Sequence, residues 1–254
     1  MTSRSPVALA ALDNARWCDA VAQAHGGRTH LTGAAWWNDE PSPPYYPNLV
    51  TLAPGLSQAS IRSALEPVLS NGKEGSIALK DSFRDLDPAP LGFAPLFDAH
   101  WLWREPDGPA SPRLPLAWRR VATPEALREW EHGWWRAAAP DGGVAAPPLF
   151  PARLLQREAV TFLLAHDDAG RAVLGCALSD SDDVVGISCI FDHSSRPLEA
   201  MADLVAQASA WRPGKPLVGY ASGGELELAL ACGFTAIGAL RVWLRAPSNS
   251  VNGP

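Results

Sequence analysis

Apolar residues recur at helical spacing through residues 14–25, and the pattern stops at Gly26-Gly27. This predicts a helix closed by a glycine cap. Residues 29–37 predict a strand, after which Pro41, Pro43, Pro44 and Pro47 force an extended loop carrying Tyr45 and Tyr46. A short buried strand is expected at 48–52. Residues 57–69 predict an amphipathic helix with Ile61, Leu65 and Leu69 on one stripe and Ser57 or Ser60 as its cap. A strand at 75–80, a short Pro-interrupted connection at 83–91 and a long strand or bent pair of strands at 93–104 complete the first half.

Residues 105–113 are rich in Pro, Gly and Ser without apolar periodicity, which predicts a linker. A strand at 114–121 follows, and Thr123-Pro124-Glu125 marks a helix start by cap, first-turn proline and favourable charge. That helix is expected to reach about residue 136, with a Pro/Gly/Ala-rich loop over 137–151. Three strands are predicted at 160–165, 172–178 and 184–191, the first two joined by the turn Asp167-Asp168-Ala169-Gly170. A helix at 198–211, a strand at 217–220, a short helix at 225–232 and a strand at 234–245 close the pattern. The polar tail after Ala246 is expected to be disordered.

One phrase occurs twice. Gly92-Phe93 leads to Arg104 and Gly233-Phe234 leads to Arg245, each Arg twelve residues after its Gly. Such repetition predicts two related domains. The order of elements in the second half, together with the stretch from Pro216 to Phe234, resembles the GNAT (general N-acetyltransferase) superfamily, whose fifth strand, fourth helix and Gly-Phe that stretch matches. The fold class implied is α/β (α+β): two GNAT-like domains, each a mixed, mostly antiparallel sheet flanked by helices. The resemblance places a truncated copy at 1–106, a complete copy at 114–246 and a flexible tail at 247–254.

The resemblance also implies a chemistry. A GNAT sheet splays after its fourth strand to admit the pantetheine arm of acetyl-CoA, and the pyrophosphate rests on the next helix N-terminus. The cofactor-binding residues so implied are Ile190, Phe191, Ser194, Ser195, Arg196 and Ser222. Asp192-His193-Ser194-Ser195-Arg196-Pro197 stands where the family carries a glycine-rich phosphate loop, and it has no glycine. Ser194 or Ser195 could equally cap the following helix. In the first half, Ala53-Pro54-Gly55-Leu56-Ser57-Gln58 holds the equivalent place. The positions of the family's Asn and general-acid Tyr are Ser222 and Ala229 in one half, Asp81 and Pro88 in the other. Tyr220 is then the candidate acid and Glu158 the candidate base, against the plainer role of Tyr220 as a half-buried packing residue.

Aromatic and acidic residues gather in the irregular stretch 36–47, where Trp36, Asp39, Tyr45 and Tyr46 would suit a small-molecule amine substrate. The alternative is that these rings bury in a seam. Asp98 and His100 alternate along a strand, either as a proton-relaying pair or as a solvent-facing edge. A net charge of −6 without a Lys/Arg stripe argues against nucleic acid as a partner. Cys18, Cys176, Cys189 and Cys232 lack metal-ligand spacing, so neither metal nor disulfide is expected. The apolar run 7–12 is too short for the core of a secretion signal and no stretch approaches a membrane span, which predicts a cytoplasmic protein. Two functions remain open: an acyl-CoA-dependent N-acyltransferase with acetyl-CoA as co-substrate, and a noncatalytic binding or assembly module of the same fold.

Overall fold

A computed structural model describes residues 4–70, 75–106, 114, 116–138, 148–181 and 183–247. The chain forms two compact units. The first takes in Met1–Trp17 and His100–Gly238, the second Cys18–Ala99 and Ala239–Pro254. These units and the linear halves at 1–106 and 114–246 divide the chain at different places.

The first helix, α1, spans Pro6–Ala24 and begins eight residues earlier than its periodicity suggests. Ser5 supplies the reason: its hydroxyl accepts the Ala8 N–H at 3.3 Å, and Pro6 fits the first helical position. The single strand expected at 29–37 is a hairpin, β1 Thr29–Leu31 and β2 Ala35–Asn38. Thr32 turns the chain by accepting the Ala34 and Ala35 N–H groups on its hydroxyl. The linker at 107–113, most of the 137–151 loop and the tail from 248 lie outside the described residues.

In the second unit β3 (Leu49–Thr51) runs through α2 (Gln58–Ser70) to β4 (Ile77–Asp81), a parallel pair with the helix as crossover. Ser57 caps α2 through the Ser60 N–H at 3.1 Å. Leu49, Ile61, Leu65, Leu79 and Phe93 form its core.

The first unit is larger and also contains a parallel pair joined by a helix. Its strands are β6 (Ala117–Arg120), β7 (Val160–His166), β8 (Ala172–Asp180), β9 (Val185–Asp192) and β10 (Leu217–Ala221). Its helices are α3 (Pro124–Ala138), α4 (Pro197–Trp211) and α5 (Gly223–Ala231). Strands β6 to β9 pair antiparallel in sequence order, and α4 carries the chain over to β10, parallel to β9. One sheet face packs on α4 and α5. The aromatic cluster of Trp17, Trp130, Phe150, Phe162 and Phe191 brings together α1, α3, β7 and β9.

The two long strands of the repeat are exchanged. β5 (Ala94–Arg104) opens in the second unit and ends in the first, where 100–104 pair antiparallel with β10. β11 (Thr235–Arg245) does the reverse, and its 241–245 pair with β4. Arg104, 5% exposed, donates its Nε–H to the Cys232 carbonyl at 3.1 Å, beside Gly233. Arg245 lies against Gly92, its Nε 3.6 Å from where a Cβ would stand. Gly92 and Gly233 take φ of 84° and 85° after their helical turns, a left-handed conformation that a Cβ disfavours. Each Arg therefore lies beside the turn of the other Gly-Phe phrase.

Candidate functional site

The site is a fork in the sheet of the first unit. β9 and β10 pair only at Leu217↔Val185 and Val218↔Gly186. Beyond them β9 continues to Asp192 on β8, while β10 continues to Ala221 on β5. Each strand follows its outer neighbour, so the inner edges separate. Gly219 stands at the crotch, where a Cβ would be 3.1 Å from the Ile187 carbonyl oxygen.

A bulge shapes the β9 side. Gly175 faces Phe191 and Ala177 faces Ser188, so Cys176 opposes two residues, Cys189 and Ile190. Cys189 takes φ of 52°, a strained value for a residue with a Cβ. The extra residue of the bulge interrupts the regular β8–β9 ladder at this point. Phe191 fixes the far end of the bulge. Its ring lies so close to Gly133 of α3 and Gly175 of β8 that a Cβ on either would come within 2.7 Å of it. His193 adds a bond from its Nε2 to the Gly133 carbonyl at 2.9 Å. Burial pushes the Cys176 thiol up, so it is an inert neighbour to half-buried Cys189.

Asp13 lies beneath the base of the fork. It is buried, accepts Ser179 Oγ–H at 2.9 Å and Ser181 Oγ–H at 2.6 Å, and would meet a Cβ on Gly186 at 1.8 Å. Burial pushes its carboxyl up to about 7, against the pull of both serines and of Arg16; Asp180 pushes in the same direction as burial.

On the β10 side Tyr220 is 37% exposed and meets Trp101 of β5 edge-on at 5.7 Å. Ser222 begins α5 without a side-chain capping bond, and added Cβ atoms on Gly223 and Gly224 would meet nothing within 4 Å. Ile190 is 39% exposed, whereas the Phe191 ring is buried, so Phe191 can offer a ligand only its backbone. Glu158 does not reach the fork. It precedes Val160, which lies about 10 Å along the strands and two strand spacings, about 10 Å, across from the bulge.

The loop from β9 to α4 is occupied by its own side chains. Asp192 Oδ1 accepts the Ser194 N–H at 2.7 Å, and Ser194 Oγ accepts the Arg196 N–H at 3.2 Å. The Arg196 guanidinium donates twice to Glu199 Oε1, at 3.2 and 2.9 Å. Arg196 itself is the cap residue of α4, so neither serine holds that place.

In the second unit the strands β3 and β4 stay joined at their ends. Past the β3/β4 pairing, Thr51 Oγ1 accepts the Ser82 N–H at 2.8 Å. Asp81 gathers the N–H groups of Phe83, Asp85 and Leu86, and Gly55 N–H donates to Asp85 Oδ2 at 2.7 Å. The expected amine-binding residues all belong to this unit. Trp36 is fully buried with its indole N–H on Asp19 at 3.0 Å, which withdraws its ring from any dissolved ligand. Asp39 bonds His30 Nε2 at 2.8 Å; Tyr45 is exposed and Tyr46 half-buried. Asp98 is clasped by Arg241 at 2.6 and 2.8 Å and by Arg84 at 3.0 Å. Among the described residues, no group of three His, Cys, Asp or Glu could hold a metal ion, and no helix is long and apolar enough to cross a membrane.

Asp13 has no place in the expectations from sequence, while Cys189 enters them only as a thiol and His193 only as a position in the loop before α4. A glycine inside a helix at Gly133, and others inside strands at Gly175 and Gly186, were the available signals of close packing.

No protein-family model and no curated protein sequence matches the chain. Solved structures do. A GNAT-family protein from Novosphingobium aromaticivorans superposes with a TM-score of 0.57 at 18% identity, covering 94% of this chain and 99% of that one. A GCN5-related N-acetyltransferase from Kribbella flavida gives 0.58 at 16%, covering 94% and 97%. Saccharomyces cerevisiae N-myristoyltransferase, with bound myristoyl-CoA, gives 0.53 at 8%, covering 73% and 54%. At these identities the likeness is one of fold, the fold that these GNAT-family and N-myristoyltransferase structures share with this chain.

Proposed function

We propose that the first unit is an acyltransferase that moves an acyl group from a pantetheine thioester, acyl-CoA, to an amine. The observation that supports this most is the fork between β9 and β10, with inner strand edges left without each other beyond Gly186 and Val218. A pantetheine arm carries amides, and it can bond an open strand edge much as an added strand would. The likeness of fold to N-acetyltransferases and to an N-myristoyltransferase bearing myristoyl-CoA supports the same class of donor.

In the proposed reaction the thioester carbonyl lies beside the bulge of β9, where backbone N–H groups of the strand would steady the developing oxyanion. The amine nitrogen attacks the carbonyl carbon, the C–N bond forms and the C–S bond breaks. CoA departs as its thiolate, and the proton lost by the amine passes to water. Tyr220 is the proposed acid for that thiolate. Ser222 and the exposed side chain of Ile190 are proposed to contact the arm. The second unit, whose strands β3 and β4 stay joined through Thr51 and Ser82, is proposed to be a structural copy of the same ancestral fold.

Isothermal titration with acetyl-CoA, followed by thiol-release assays with a panel of amines, tests this. We expect one bound donor per chain at micromolar to sub-millimolar affinity, and release of CoA with some member of the panel. Tyr220→Phe should lower release by about tenfold or more while leaving the donor Kd unchanged. No heat at millimolar acetyl-CoA would refute the reading. Binding without turnover across the panel would favour a noncatalytic binding module.

A further inference from the structure

We infer that the donor is recognised through its pantetheine thioester and not through its pyrophosphate. This rests on the proposed acyltransferase reading and names the part of the donor that the site reads.

Strand β9 leads directly from the fork into the N-terminus of α4, which by its free N–H groups and dipole is the natural seat for a donor's phosphates. In this chain that seat already holds anions. The Ser194 N–H is taken by the Asp192 carboxylate at 2.7 Å, and the Arg196 N–H by Ser194 Oγ at 3.2 Å. Glu199, in the first turn of α4, folds its carboxylate onto its own backbone N–H and onto the Arg196 guanidinium, which together hold its carboxyl below the usual range. A pyrophosphate arriving here would have to displace one carboxylate or lie against two. The N–H groups of Ser194, Arg196 and Glu199 at this seat are therefore taken within the chain, while the β9 and β10 edges beside it diverge.

The second unit shows the same substitution. Gly55, in the loop that leads from β3 to α2, gives its N–H to the Asp85 carboxylate at 2.7 Å. There the strands are also closed. In the first unit only the anion seat is filled, so the thioester-binding half of the site remains.

The test compares acetyl-pantetheine with acetyl-CoA by calorimetry on the full chain. We expect their dissociation constants to agree within about threefold, since an unused nucleotide adds no favourable contact. Raising NaCl from about 50 to about 500 mM should then leave acetyl-CoA binding nearly unchanged, because few phosphate contacts are there to be screened. The double variant Asp192→Asn/Glu199→Gln should bind acetyl-CoA about tenfold more tightly and acetyl-pantetheine as before, as the repelling carboxylates are gone and N–H groups can donate to phosphate. Acetyl-CoA binding more than tenfold tighter than acetyl-pantetheine in the unaltered protein would overturn the inference and leave the acyltransferase reading standing. Failure of both ligands to bind would overturn the two together.

Discussion

Replacing Asp13 by Asn tests whether the acid under the fork is stabilised only in its protonated form. Its carboxyl rises from an ordinary 3.8 to about 7 in the folded protein, chiefly through burial. Because the folded pKa is the higher one, the folded state binds the extra proton, and the stability it confers is complete below about pH 4. It is lost as pH climbs towards 7 and does not return above it. At ~1.4 kcal/mol per pKa unit the difference corresponds to about 4 kcal/mol. Arg16, Asp180, Ser179 and Ser181 set the field in which this happens. An Asn keeps the shape, accepts from one serine and donates to the other, and never ionises. Urea unfolding followed by tryptophan fluorescence at pH 5, 6, 7 and 8 should show the variant gaining on the wild type as pH rises, by about 2–4 kcal/mol overall. Titrations elsewhere cancel in the difference. A difference that stays flat with pH, or grows in favour of the wild type, would refute the buried-acid account.

Two further outcomes follow from packing. Gly175→Ala would place a Cβ 2.5 Å from the Phe191 ring and 2.9 Å from the Leu163 carbonyl oxygen, so thermal denaturation should show a loss of about 1–3 kcal/mol. An unchanged Tm would mean that Phe191 is not locked as described. Arg104→Ala removes a buried charged donor from the Cys232 carbonyl and should cost about 1.5–3 kcal/mol. Hydrogen exchange should then quicken at the amides of Gly233 and Phe234, which lie far from Arg104 in sequence, and unchanged exchange there would contradict the exchange of strands.

The second unit's core helix and the β7–β8–β9 meander were legible because their periodicities and turn residues agree with their tertiary roles. The α1 start is set by Ser5-Pro6, a cap and first-turn pair that precedes the residues with clear helical periodicity. Trp36 looked available in an irregular stretch, yet its side chain is decided by Asp19 on a helix that local pattern cannot bring near. Glu158 lies away from the fork for the opposite reason: adjacency to a strand says nothing of which end of the sheet that strand begins at. The fork itself was foreseen only through a family resemblance, since two strands that stop pairing leave no mark in their own composition.

The repeated Gly-Phe and its distant Arg were fixed by sequence in one respect, the need for glycine at φ near 84° where a side chain would be strained. Which turn each Arg serves was decided by the tertiary structure alone. Arg104 reaches Cys232 and Arg245 reaches Gly92 because β5 and β11 pair in the opposite units. Local propensity specifies a strand and its faces, but strand partners are chosen by long-range pairing, to which the spacing along the chain is blind. The same holds for the site: sequence placed Asp192, Ser194 and Arg196 in one loop, and only the folded hydrogen bonds reveal that these groups satisfy one another.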